Sequence, residues 1–279
     1  MPLTPYPNPS ESCFGPQIPA CFTTLEEARD SLLYHKSRCR QTALDIDNVA
    51  EHATSFEEYS QNVNAVLEKW ASAFQALVAK EGASFDSKAV QGAAVLKISQ
   101  LTLMLHTKDR GEAKLRNQCN WDNNRAECEK IVDLAGTVLE LQKNNNHGTA
   151  GSGAMRSPVF SLDMSTVAPL FAIAHRCRDP GIRRRVIALL YDAPRQEGLF
   201  HSVLAARICE KMMTIEEAGC GVLKKAEDIP EWKRISDVDV KFDLQRREGF
   251  MRFSRRRDTG QRDGSLECVM EIVREEIEW

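Results

Sequence analysis

Hydrophobic positions along this chain repeat with two different periods. From Thr24 to Lys143 the spacing is helical. In "TTLEEARDSLLYHKSRC", Leu25, Ala28 and Leu32 share a face. Thr24 with Glu27 three residues later predicts a capping box. In "SFEEYSQNVNAVLEKWASAFQALVAK", Phe56, Tyr59, Val63, Val66, Leu67, Trp70, Phe74, Leu77 and Val78 form one long apolar stripe, with Ser55 and Glu58 as a second capping box. "SKAVQGAAVLKISQLTLMLHTK" is apolar on most sides and predicts a largely buried helix, with Gly92 admitting a close helix contact. "NRAECEKIVDLAGTVLELQK" predicts a fourth amphipathic helix with Ile131, Leu134, Val138 and Leu141 in register.

The pattern then lapses. "NNNHGTAGSGAMRS" is polar, glycine-rich and without period, as expected of a flexible linker. Beyond it, "STVAPLFAIAHRC" predicts a short helix with Pro169 in its first turn. Asp179-Pro180 predicts the start of another, because Asp accepts from the first free amides and Pro suits the first helical position. Ile182, Val186, Leu189 and Leu190 line its apolar face. Pro194 and Gly198 break the chain, and a further helix begins near Leu199 and ends at Gly219. From Val238 the period becomes two: Val238, Val240, Phe242 and Leu244 alternate with polar residues, and Gly249 to Phe253 returns as a hairpin. In "SLECVMEIVREEIEW" both periods fit, so residues 265–279 stay open between helix and strand. The expected fold class is mainly α, a multi-helix domain with a small C-terminal β-hairpin or short antiparallel sheet. The expected organisation is a disordered lead-in at 1–21, an N-terminal helical half at 22–143, a linker at 144–158, and a C-terminal helical half with the β element at 159–279.

Composition narrows the chemistry. The 279 residues carry a net charge of −3, which argues against a general polyanion binder. The N-terminal residues are rich in proline and lack the basic and apolar regions of a secretory signal. The expected location is therefore nuclear or cytoplasmic, and not secreted. Nine cysteines with none at C-x-x-C spacing point to free thiols and away from a structural zinc site. The phosphate-binding glycine spacings, G-x-S-x-G and H-E-x-x-H are all absent. His175 and Cys177, two residues apart, would point in different directions on a helix. The expectation is no catalytic residue, no cofactor and no metal.

What remains is "RCRDPGIRRRVIALLYDAPRQEGLF", residues 176–200. Its three consecutive arginines cannot all face outward from one helix. Arg184 should lie in solvent, with Arg183 and Arg185 flanking the buried stripe and pairing with Glu197, Glu216 or Glu217. The segment resembles the signature of the C-terminal regulatory domain of fungal zinc binuclear cluster (six-cysteine) transcription factors, which reads close to K-C-R-D-P-x-x-R-R-x-A-I-x-L-L and then P-R-R-E-G-L-W-D-S. Gln196 stands here for an arginine, and Phe200 and His201 stand for the Trp-Asp pair. "CFTTLEEARDSL", "EKWASAFQALV", "EKIVDLAG" and the terminal Glu-Ile-Glu-Trp fall in the family's order, so the resemblance covers about Cys21 to Trp279.

The resemblance implies a helical, non-catalytic regulatory and interaction module without the DNA-binding head, whose six cysteines have no counterpart here. Its implied partners are proteins, either a second copy or a full-length regulator, with a small-molecule effector between helices as a further implied ligand. Specific DNA binding by the chain itself and a membrane location are not expected. The structural and interaction candidates are Asp179, Pro180, Arg183, Arg184, Arg185, Glu197 and Gly198. The rival reading is a stand-alone enzyme or small-molecule-binding protein reusing the helical fold.

Overall fold

The computed structural model describes residues 17–47, 53–109, 118–147, 159–161, 165–243, 248–258 and 266–273. The expected linker from Gly148 to Pro158 and most of the lead-in lie outside them, as do Leu244 and the terminal Glu-Ile-Glu-Trp. Seven α-helices and six strands are present among the described residues, and the fold is mainly α.

The chain divides into two compact units, residues 1–111 and 112–279. In the first, α1 (Leu25–Asp47), α2 (Ala53–Glu81) and α3 (Ser87–Asp109) pack on one another. Thr24 caps α1 as expected, its Oγ1 accepting from the Glu27 amide at 3.1 Å. The return bond of the box differs: the Glu27 carboxylate accepts from the amide and hydroxyl of Thr23, both at 2.7 Å. Helix α2 is already helical at Ala53, so Ser55 lies inside it rather than at its cap. Trp70 is fully buried at the centre of the unit. Its ring stacks on Phe74 with centroids 4.8 Å apart, and its Nε1 donates to the Ala28 carbonyl at 3.0 Å. Ile18 and Phe22 belong to the same core, so the chain is ordered into packing before the expected boundary at residue 21. Gly92 makes no close contact: a Cβ added there would meet nothing within 4 Å.

The second unit begins with a 3-10 helix (Gln118–Asn124) and α4 (Arg125–His147). Helix α4 packs on α5 (Val167–Arg176) and α6 (Pro180–Asp192), through buried Ile131, Val132, Ala135, Val138 and Leu139. The fourth helix therefore belongs with the second unit, and residues 144–147 continue it instead of opening a linker. Apolar periodicity shows that a helix has a face to bury. It does not show against which neighbour.

The chain between α6 and α7 (Ser202–Glu217) forms two strands of a small three-stranded sheet. Strand β1 (Val159–Ser161) runs parallel to β2 (Arg195–Glu197), which is antiparallel to β3 (Phe200–His201). Gly198 takes φ +55 at the tip of that turn. The helix expected near Leu199 thus starts at Ser202, because Leu199 is spent on the turn and is almost fully exposed.

The second sheet has the order β4 (Ile235–Asp243), β5 (Glu248–Asp258), β6 (Leu266–Val273), all antiparallel. Pairing with β5 settles residues 266–273 as strand. Met251 and Phe253 bury one face of β5 against Ile208 and Met212 of α7, while Phe250 and Arg252 lie exposed on the other.

Candidate functional site

The Asp179-Pro180 signal folds as expected. Asp179 Oδ1 accepts from the amides of Gly181 and Ile182, each at 3.0 Å, and Pro180 occupies the first turn of α6. Asp179 Oδ2 accepts from Arg125 Nε on α4 at 2.8 Å. Burial alone would raise the Asp179 pKa, but the Ile182 amide and Arg125 outweigh it and hold the carboxyl below its ordinary value.

Helix α6 presents a broader buried face than its sequence suggests. Ile182, Val186 and Leu190 are buried, as are Ile187 and Arg183, while Leu189 is half-buried. The helix is covered on two sides, by α4 and by α5 with α7, which draws positions 183 and 187 inward.

Arg183 is the inward member of the triplet, with no solvent exposure. Its Nε donates to the Ala174 carbonyl at 3.0 Å, and its Nη1 lies 2.6 Å from Glu216 Oε2 as an ion pair without hydrogen-bond alignment. Arg184 is half exposed and pairs with Glu217 at 2.5 Å. Arg185 is also half exposed and pairs with Asp133 of α4 at 2.6 Å. The expected partner set is therefore right for Arg183, but Arg185 is not a flanking, partly buried residue. Position 185 falls on the outer edge of α6, where a neighbouring helix supplies an exposed carboxylate.

A second buried arginine, Arg178, was not singled out by its sequence position. Its Nη2 donates to Glu216 Oε1 at 2.8 Å and to the Ile235 carbonyl at 2.9 Å, and its Nη1 donates to the Arg176 carbonyl at 2.8 Å. Glu216 Oε1 also accepts from the Ile235 amide at 2.7 Å. One carboxylate on α7 thus joins the α5–α6 connection, α6 and the start of β4. Burial opposes its ionisation, but Arg178 and Arg183 more than offset this and hold Glu216 at about 2. Two guanidinium groups face this one carboxylate, an excess of positive charge in the interior. Burial, and next the Arg176 and Arg178 charges, keep neighbouring His175 neutral with a pKa of about 3. Neither group is poised for proton transfer at neutral pH. Glu216 is already saturated with donors, and His175 binds a proton only in strong acid.

Glu197 and Gly198 stand apart from this cluster, at the N-terminus of α5. Glu197 Oε2 accepts from the amides of Ser165, Thr166 and Val167 at 2.8, 2.8 and 3.0 Å, and Oε1 accepts from the Ser165 and Thr166 hydroxyls at 2.8 Å. A carboxylate from a distant turn therefore satisfies the free amides of a helix start and complements its dipole. Burial opposes the charge there too, but those amides and hydroxyls together hold Glu197 below its ordinary pKa. Arg195, itself buried, lies 3.7 Å from Glu197 Oε1. A fourth buried arginine, Arg234, makes a two-pronged pair with Asp122 at 2.8 and 2.7 Å and donates to the Ile229 and Ala226 carbonyls.

The segment 176–200 thus works as an assembly of buried polar ties. A clue in the sequence was the run of three consecutive arginines, which one helix cannot turn outward together and which therefore calls for partners. It does not name them, because Glu216 lies 38 residues beyond Arg178. Among the described residues, no group of three or more His, Cys, Asp or Glu side chains is placed to hold a metal ion. No helix among them is long and apolar enough to cross a membrane. No protein-family model, curated protein or solved structure matches the chain.

Proposed function

We propose that this chain is a non-catalytic regulatory and interaction module, related to the C-terminal domain of fungal zinc binuclear cluster transcription factors and acting through protein partners in transcription. The observation that carries this reading is the fate of the signature segment. Arg178, Asp179, Pro180, Arg183, Glu197 and Gly198 each hold the fold together, by a cap, a turn or a buried charge pair. A motif in which these six residues serve the scaffold reads as a fold signature rather than a reaction centre, and that supports kinship with the regulatory domain the motif resembles.

On this reading the partner is a second copy of the chain or a full-length regulator that brings its own DNA-binding head, and the working location is the nucleus. The net charge of −3 agrees with delegated DNA contact. The test is a reporter assay with the whole chain fused to an unrelated DNA-binding domain in a fungal cell. Reporter output should move several-fold, up or down, against the unfused domain. Output equal to the unfused domain, together with no chemical cross-link to any regulator or second copy in nuclear extract, retires the proposal.

A further inference from the structure

We propose that the outer edge of β6 is a docking edge for β6 of a second copy of this chain, the two strands pairing antiparallel so that their sheets join into one. This names the interface for the second-copy partner and rests on that part of the reading above. The sheet order β4-β5-β6 leaves an edge at each end, and the two are built differently. The β4 edge is engaged or blunted. At its start the Ile235 amide donates to Glu216 Oε1 at 2.7 Å, and the Ile235 carbonyl accepts from Arg178 Nη2 at 2.9 Å. Both polar groups of that residue are thus used inside the molecule. Further along, the register with β5 shifts between Ser236 and Asp239, and Asp237 takes φ +51, in the left-handed region. Bulges and charged residues keep edge strands from pairing, and Asp237, Asp239 and Lys241 supply the charges here.

The β6 edge lacks these devices. Leu266–Val273 pairs with β5 residue by residue, from Met251↔Val273 to Asp258↔Leu266, without a register shift. The strand holds no proline and no lysine. Among the described residues no strand pairs with its other side, so every second residue turns an amide and a carbonyl outward. The order of residues in β6 then selects β6 itself as the partner. Residues directly opposite in an antiparallel pair share a face of the sheet, so a two-fold axis relating the two strands must pass at one residue position. At Val269 the axis would set Glu267 against Glu271, twice over, and at Glu271 it would set that residue against itself. Like charges directly opposite are destabilising. At Met270 both conflicts vanish. Cys268 then stands opposite Ile272 of the second copy, and Met270 opposite its own counterpart. These positions are in register with Arg256, Arg252 and Ser254, on the face away from the Met251 and Phe253 core. On the core face Val269 stands opposite Glu271, and Glu267 opposite Val273. Apolar residues thus meet on one face, and no two carboxylates meet on the other.

The experiment uses the full chain. Analytical ultracentrifugation on serial dilution detects the dimer, and hydrogen exchange read by mass spectrometry at the same concentrations locates its interface. The expected result is a dimer in which about half of the amides in 266–273 lose protection on dilution, since only alternate residues face the partner strand. The β4 amides in 235–243 should not change. In Met270→Lys and in Met270→Glu, like charges meet at the axis. Each variant alone should self-associate at least about tenfold more weakly, and an equimolar mixture should restore the dimer as a mixed pair. Both variants are checked for native circular dichroism, and if either misfolds the wild-type exchange map decides alone. A chain that stays monomeric at every concentration would overturn the pairing and leave a full-length regulator as the partner. A dimer whose 266–273 amides keep their protection on dilution would overturn it too, and would leave a second copy docked through another surface.

Discussion

Arg183 on α6 and Glu216 on α7 meet at 2.6 Å with neither side chain exposed to solvent. The contact divides three adjacent arginines into one that holds the interior and two that do not. Removing Arg183 leaves Glu216 with Arg178 and the Ile235 amide, in a site built for two cations. Glu216 thus keeps a cation, and the cost of Arg183→Ala is that of lost buried packing and of the Ala174 carbonyl left without its donor, about 1–3 kcal/mol. Arg184→Ala and Arg185→Ala should each stay within about 0.5 kcal/mol, since their ion pairs are exposed. Denaturant unfolding of the three single variants measures all of this, and equal stabilities would remove the buried-tie account of the segment.

Acid should unfold the second unit through Glu216. Its folded pKa of about 2 lies below the ordinary value of 4.5, so its ionised form stabilises the native state above 4.5. That contribution falls as pH drops from 4.5 toward 2. Glu197 and Asp179, also held below their ordinary values, act in the same direction. Glu216→Gln should be less stable at neutral pH and should show a shallower loss between the two limits. Stability against pH, followed by tryptophan fluorescence or circular dichroism, reads the slope. An unchanged slope in the variant would show that the carboxylate does not carry the acid sensitivity.

Glu197→Ala should uncap α5. Three amides and two hydroxyls lose their acceptor in a buried setting. An orphaned buried donor costs about 1–3 kcal/mol, so the loss should exceed that of an ordinary cap even after water enters. Hydrogen exchange should report faster exchange at Thr166 and Val167. Exchange at the wild-type rate would rule out the long-range cap.

At the start of α7 the change runs the other way. His201 Nδ1 accepts from the Leu204 amide at 3.5 Å, a long bond for a cap. His201→Asp supplies a shorter acceptor with a charge that complements the helix dipole. It should raise stability by about 0.5–1 kcal/mol in thermal unfolding.

Gly92 offers a gain in the first unit. A Cβ there meets nothing within 4 Å, and the residue lies inside α3. Gly92→Ala should stabilise by about 0.5–1 kcal/mol through reduced backbone freedom of the unfolded chain, as a rise in denaturation midpoint.

What the sequence determined by itself is local. Periodicity placed the helices, since burying a face at 3.6 residues per turn needs no knowledge of the partner. Thr24 and Asp179 announced helix starts because a cap acts on amides two or three residues away. Alternation from Val238 gave the hairpin for the same reason. Tertiary structure decided everything that turns on a neighbour. Residues 266–273 satisfied both periods, and only hydrogen bonding to β5 made them a strand. Helix α4 had an apolar face, and only packing assigned it to the second unit. Arg185 looked equivalent to Arg183 until α4 supplied Asp133 on the outer edge of α6. Arg178 and Glu216 carry no sequence mark of their pairing, because burial and charge compensation are settled where distant segments meet. A chain writes its short-range hydrogen bonds in adjacent letters, while its buried charges find partners only when the interior closes.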